Sequence, residues 1–174
     1  MGWRGLRRWC IEGFNYHNRD AQDVESPKRK LVYFMPRNPL PNIRNKFTGT
    51  TLLYAILGQR IVVGREDIAK LIIEKGTSHH FKPGKEFIQQ GAADNDIYLI
   101  ICGRVEIRIN GRPIAERHPG QHVGEMALLD PTTTRSASVI AKEYTVAIKL
   151  TEASFTEIAQ QHSLLWRNLC QRSL

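Results

Sequence analysis

The chain has 174 residues, 41% of them hydrophobic, and a formal charge of +8. That length allows one globular core with an added segment, and no apolar run reaches the roughly 18 residues a membrane-spanning helix needs. Cys10, Cys102 and Cys170 are odd in number and far apart, which excludes a disulfide framework or zinc spacing and suits a reducing cytoplasm.

The charge is uneven. Residues 1–47 hold 10 of the 25 Lys and Arg but 4 of the 17 Asp and Glu. They show no sustained periodicity, and Pro27, Pro36, Pro39 and Pro41 punctuate them. They read as a basic, weakly ordered arm whose apolar run, Leu31 to Met35, can dock on the domain or on a second copy. Residues 48–174 read as the domain itself.

Thr50 to Leu57 and Glu66 to Lys75 are predicted helices. In the second, Ile68, Leu71 and Ile72 share one face and Gly76 stands at the C-cap. From His79 the pattern changes to short strands. His80 to Lys82 runs into the turn Pro83-Gly84, Glu86 to Gln89 follows, and Gly91 marks another turn. Asp96 to Ile101 is a central strand. Val105, Ile107 and Ile109 alternate with charged residues, which predicts a strand with one wet face. Asn110-Gly111 signals a type I′ hairpin, and Pro113 to Glu116 returns. Ala137 to Ala141 and Thr145 to Leu150 complete the set. Thr151 is placed to cap a helix carrying Phe155, Ile158 and Ala159. Ser163 is placed to cap another with Leu164, Leu165, Trp166 and Leu169. The fold class is mainly β with flanking helices: an antiparallel barrel or jelly roll between N-terminal helices and a C-terminal helix.

Residues 120–139 carry the chemistry. Gly124 has no Cβ, so backbone there can approach a ligand closely. Glu125 to Leu129 can make one helical turn whose free N–H groups favour negative charge. Arg135 offers a planar fork of donors to phosphate oxygens, and Ser136 a hydroxyl. Glu125 repels phosphate, so its partner is a donor such as a ribose 2′-hydroxyl. A phosphate beside a sugar hydroxyl in one small site suggests a nucleotide. Val123, Ile107 and Ile114 either contact its sugar or base or are plain core. Trp166 either stacks on the base or anchors the last helix. His118 and His122 are four apart, but Pro119 and Gly120 argue against a shared helix face and no third ligand is in view, so no metal is expected. No phosphate-binding loop of the NTPase type, nucleophile elbow or paired-acid motif is present, so no catalytic residue is expected.

Gly124-Glu125-Met126-Ala127, followed by Arg135-Ser136-Ala137, resembles the phosphate-binding cassette of the cyclic nucleotide-binding domain family. Residues 81–91 and 96–105 look like the family's early strands, and the resemblance covers roughly residues 52–174. It implies that Gly124, Glu125, Met126, Ala127, Arg135 and Ser136 hold a cyclic nucleoside monophosphate, with the last helix folding over the base as a lid. Residues 94–100, 109–115, 122–127 and 165–167 are similar to the sensor half of bacterial TIR-domain effectors of the Pycsar anti-phage system. That similarity implies cyclic UMP or cyclic CMP as ligand and an attached TIR domain that assembles and degrades NAD. No TIR half lies within these residues, so the chain reads as a non-enzymatic sensor cut from a longer protein, its lid helix truncated.

Other readings share the fold: a sensor of cyclic AMP or cyclic GMP, or a ligand-free structural domain, against which the joint presence of Glu125 and Arg135 argues. An enzyme or a nucleic-acid binder using the basic arm is a further class. The expected partners are a cyclic mononucleotide and a second copy of the chain, with no nucleic acid and no membrane. Leu165 and Leu169, taken as exposed, suit a dimer but also ordinary packing.

Overall fold

The computed structural model describes residues 49–130 and 132–170. The basic arm anticipated over 1–47 lies outside the described residues. Helix α1 spans Thr50–Leu57 and α2 spans Glu66–Lys75. Eight strands follow among the described residues: β1 Thr77–Phe81, β2 Glu86–Ile88, β3 Ile97–Cys102, β4 Val105–Ile109, β5 Arg112–Arg117, β6 His122–Val123, β7 Ser138–Ala141 and β8 Thr145–Leu150. A one-turn helix, α3 (Glu125–Leu129), interrupts them between β6 and β7. Helices α4 (Glu152–Gln161) and α5 (Ser163–Cys170) close the chain.

The strands form two antiparallel four-stranded sheets, in the orders β1-β8-β3-β6 and β2-β7-β4-β5. This is the jelly-roll arrangement expected from many short strands and tight turns. Inward side chains of both sheets, among them Phe81, Ile88, Tyr98, Ile100, Val105 and Val139, make a common core. The helices have a core of their own, where Ile56, Ile68, Ile72, Phe155, Ile158, Leu165 and Leu169 are fully buried. Leu165 and Leu169 are thus interior residues, and the expectation that α5 exposes them is corrected. Among the described residues, no helix is long and apolar enough to cross a membrane.

The β4–β5 hairpin turns as its sequence dictates. Asn110 and Gly111 have φ of 51° and 76°, the paired left-handed conformation of a type I′ turn. Ile107 then pairs with Ala115 while Arg108 pairs with Pro113, so Ile114 is an extra, bulged residue on β5.

Local details differ from expectation for physical reasons. The charged face of β4 is not fully wet: Glu106 is only 9% exposed. Arg108 reaches it at 2.5 Å and Lys142 at 3.4 Å, and Lys142 also binds Glu116 at 2.7 Å. A carboxylate can be buried once it is paired in this way. Thr151 caps α4 as anticipated, accepting from the Ser154 N–H at 3.2 Å, but Ser163 is the first residue of α5 and not its cap.

Gly76 does cap α2, yet its backbone is extended (φ −86°, ψ 153°) and not left-handed. Glycine is required there for space. A Cβ would stand 2.5 Å from Ile148 Cγ2 and 2.5 Å from the Ile72 carbonyl oxygen. Gly76→Ala is expected to cost about 1–3 kcal/mol through overpacking. Urea unfolding should show it as a lower midpoint with an unchanged slope.

Candidate functional site

A pocket of about 340 Å³ opens on the inner face of the β2-β7-β4-β5 sheet. Its wall comes from Ile88 of β2, Ile107 and Ile109 of β4, Ile114, Ala115 and Arg117 of β5, and Val139 of β7. Its floor and far end come from residues 123–127 and 135–137. The pocket therefore gathers Gly124, Glu125, Met126, Ala127, Arg135 and Ser136, together with Val123, Ile107 and Ile114. Trp166 is not part of it. Its indole packs edge-on against Phe155, with ring centroids 5.2 Å apart, and joins α5 to α4.

Arg135 is built into this end of the pocket from several directions. The preceding loop is tied by Asp130, whose carboxylate accepts from the Thr132 N–H at 3.1 Å and whose carbonyl accepts from the Thr133 hydroxyl at 2.8 Å. The Arg135 backbone then pairs with the turn after β2. Gly91 N–H donates to its carbonyl and its own N–H donates to the Ala92 carbonyl, both at 2.8 Å. The guanidinium donates from Nη1 to the Gly124 carbonyl at 2.9 Å and from Nη2 to the Asp96 carbonyl at 2.7 Å. Nη2 also forms an ion pair with Asp94. That bond holds the Asp94 carboxyl below its ordinary range.

Arg135 is 3% exposed, and its buried Nε has no hydrogen-bond partner among the described residues. A buried donor left without an acceptor is costly. Arg135 also lines the pocket, where the charge of its guanidinium suits an anionic oxygen. Gly124, which precedes α3, has φ 92°. A Cβ on it would lie 2.6 Å from the Asp96 carbonyl oxygen and 2.8 Å from Arg135 Nη1. Glycine is what lets the strand end, the arginine and the helix start share this space.

Glu125 opens α3 at the boundary between the pocket and a smaller one of about 220 Å³. Burial pushes its carboxyl above the usual range, opposed by its own backbone N–H and by Arg117 and Arg135. A raised native pKa means that stability falls as pH climbs above the ordinary value near 4.3 and levels off beyond the native one. Glu125→Gln removes that penalty. The ligand-free protein is expected to gain stability at pH 7, read as a higher Tm, and to gain less at pH 4. Calorimetric melts at both pH values check this; a pH 7 Tm no higher than wild type would refute it.

Two neighbours of the site went unnoticed in the sequence. Asp94 lies 41 residues before Arg135, and only an acidic pair ahead of an apolar strand hinted at it. Arg117 ends a strand whose other inward residues are apolar, a signal that alternation alone could have raised.

The cyclic nucleotide-binding domain family matches residues 78–162, which span β1 to the end of α4 and include the whole pocket. Residues 78–162 belong to that family. A Pycsar effector protein of Xanthomonas perforans is 39% identical over 118 residues, covering 68% of this chain and 39% of the relative. A second, from Pseudomonas aeruginosa, is 36% identical over 117 residues, covering 67% of this chain and 38% of the relative. The chain thus spans about two fifths of the length of these relatives. Among solved structures, the Thermus thermophilus catabolite activator protein aligns with a TM-score of 0.55 at 28% identity, covering 60% of this chain and 51% of that one. The alignment with that structure agrees with the jelly-roll arrangement of the two sheets.

Proposed function

We propose that this domain is a second-messenger sensor for a cyclic pyrimidine mononucleotide, cyclic UMP or cyclic CMP, and that it regulates an anti-phage TIR effector. The observation that carries this reading is the similarity to two Pycsar effector proteins across two thirds of the chain. The pocket supports it chemically. The Arg135 guanidinium and the backbone N–H groups at 125–127 suit the cyclic phosphate, with Ser136 beside them. Glu125 suits the ribose 2′-hydroxyl, because a carboxylate next to a phosphate needs a donor as partner. Gly124 and Ala127 keep side-chain bulk away, and Met126, 47% exposed, lies at the rim.

The domain works in this reading by binding and not by chemistry. A ligand shifts a conformational equilibrium only through unequal affinity for the two states. The NAD-degrading activity belongs to a TIR domain of a longer protein, which acts in the cytoplasm as a homodimer or larger homo-oligomer. Nucleic acid and membranes have no part in it.

The test is a thermal melt of the protein against cyclic UMP, CMP, AMP and GMP in parallel. A ligand at 100 times its Kd stabilises by about 2.7 kcal/mol, roughly 5–11 °C for a domain of this size. A shift with a cyclic pyrimidine alone is expected. A shift with cyclic AMP or GMP alone would overturn the pyrimidine assignment, and no shift with any would point to a ligand-free domain.

A further inference from the structure

We propose that Arg117 reads the base, donating to the keto oxygen that a pyrimidine carries beside its glycosidic bond. This inference rests on the cyclic pyrimidine reading above and names the residue that would give it selectivity.

Strand register sets the face on which Arg117 stands. On β5, Ala115 pairs with Ile107 and Arg117 pairs with Val105, which is fully buried. Glu116, between them, pairs with Glu106 and binds Lys142 on the sheet's outer face. Arg117 therefore stands on the inner face, at a position that alternation reserves for an apolar residue. Arg117 is half-buried there, and the part of its guanidinium turned from water favours polar partners. Its Nη1 donates to the Glu116 carbonyl at 3.2 Å. Among the described residues it has no ion pair. No other donor of this guanidinium bonds a described residue, though its charge acts on Glu125. The side chain lines two pockets: the main one and, with Arg60, Gln121, His122 and Glu125, the smaller one.

Position along the pocket decides what Arg117 can touch. Arg135 and Gly124 mark the phosphate end, and Glu125 marks the sugar. Ile107, Ile109, Ile114 and Ala115 form an apolar wall for the base. Arg117 continues that wall on β5 and also lines the smaller pocket with Glu125, so it sits where sugar and base join. Uracil and cytosine each carry a keto oxygen on the ring carbon next to the glycosidic nitrogen. Adenine and guanine carry none there. A planar fork of N–H donors suits such an oxygen. A site built to bond one substrate group disfavours analogues lacking it, because the donor is left unpaired.

The experiment is calorimetric titration of wild type, Arg117→Met and Arg117→Lys with the four cyclic nucleotides, alongside thermal melts that confirm folding. Arg117→Met is expected to weaken cyclic UMP and CMP by about 10–100-fold, as for loss of a hydrogen bond to a charged group, and the purines by less than about 3-fold. Arg117→Lys keeps the charge but loses the fork, and should also lose discrimination; it carries the test if the methionine variant does not fold. Equal losses for all four ligands, or unchanged affinities, would overturn the proposal. So would disappearance of the Arg117→Met effect in a Glu125→Gln background, because Arg117 would then act through Glu125. The reading it rests on fails separately, if wild type itself prefers cyclic AMP or GMP.

Discussion

Arg135→Ala is expected to weaken cyclic nucleotide binding by roughly 2–5 kcal/mol, the cost of truncating one partner of a buried charge pair. That is about 30-fold to several thousand-fold in Kd. The same change strips partners from the Gly124 and Asp96 carbonyls and from Asp94. Stability should therefore fall by about 1–3 kcal/mol, and each titration needs a melt beside it to show that the variant is folded. Arg135→Lys is the sharper variant, because it keeps the charge. One ammonium cannot serve two carbonyls, a carboxylate and a ligand in the geometry of a planar fork. It should still weaken binding by at least about 10-fold, so that binding within a few-fold of wild type in both variants would remove Arg135 from the site.

Gly124→Ala should do comparable damage by a different route. The left-handed backbone at φ 92° penalises any Cβ, by about 1–2 kcal/mol. The new methyl also meets the Asp96 carbonyl oxygen at 2.6 Å, which is backbone and cannot swing away. Relief requires the start of α3 to move off the end of the β2–β3 loop, and with it the carbonyl that orients Arg135. The expected outcome is a Tm lower by at least about 4 °C and a loss of affinity similar to that of Arg135→Lys. Affinity retained despite a lowered Tm would show that the site tolerates displacement of its glycine.

Much of the architecture could be read from residue pattern, and the exceptions have identifiable causes. Helices α1 and α2 match their expected spans because apolar spacing and a following glycine delimit them. The β4–β5 hairpin was legible because Asn110-Gly111 specifies the turn locally. Strand β6 was not, since the two residues His122 and Val123 are too few to show a period. The burial of Glu106 escaped alternation because its cover comes partly from Lys142, on another part of the sheet. The residues of the cassette were visible as a contiguous string, and the pocket assembles all of them. What surrounds them was hidden by distance along the chain. Asp94 and the Asp96 carbonyl reach Arg135 only because the loop between β2 and β3 folds back onto it. The role suggested for Trp166 turned on whether its helix lies over the pocket, which composition cannot say.

The placement of Trp166 has a spectroscopic consequence. The chain has three tryptophans, and the other two, Trp3 and Trp9, belong to the basic segment. With both changed to phenylalanine, all indole emission would come from one partly buried ring wedged between α4 and α5. That ring lies outside the pocket and packs on Phe155, so a nucleotide does not reach it while the terminal helices keep this arrangement. A change in its emission on titration would therefore report movement of those helices, separating occupancy of the pocket from transmission of the signal.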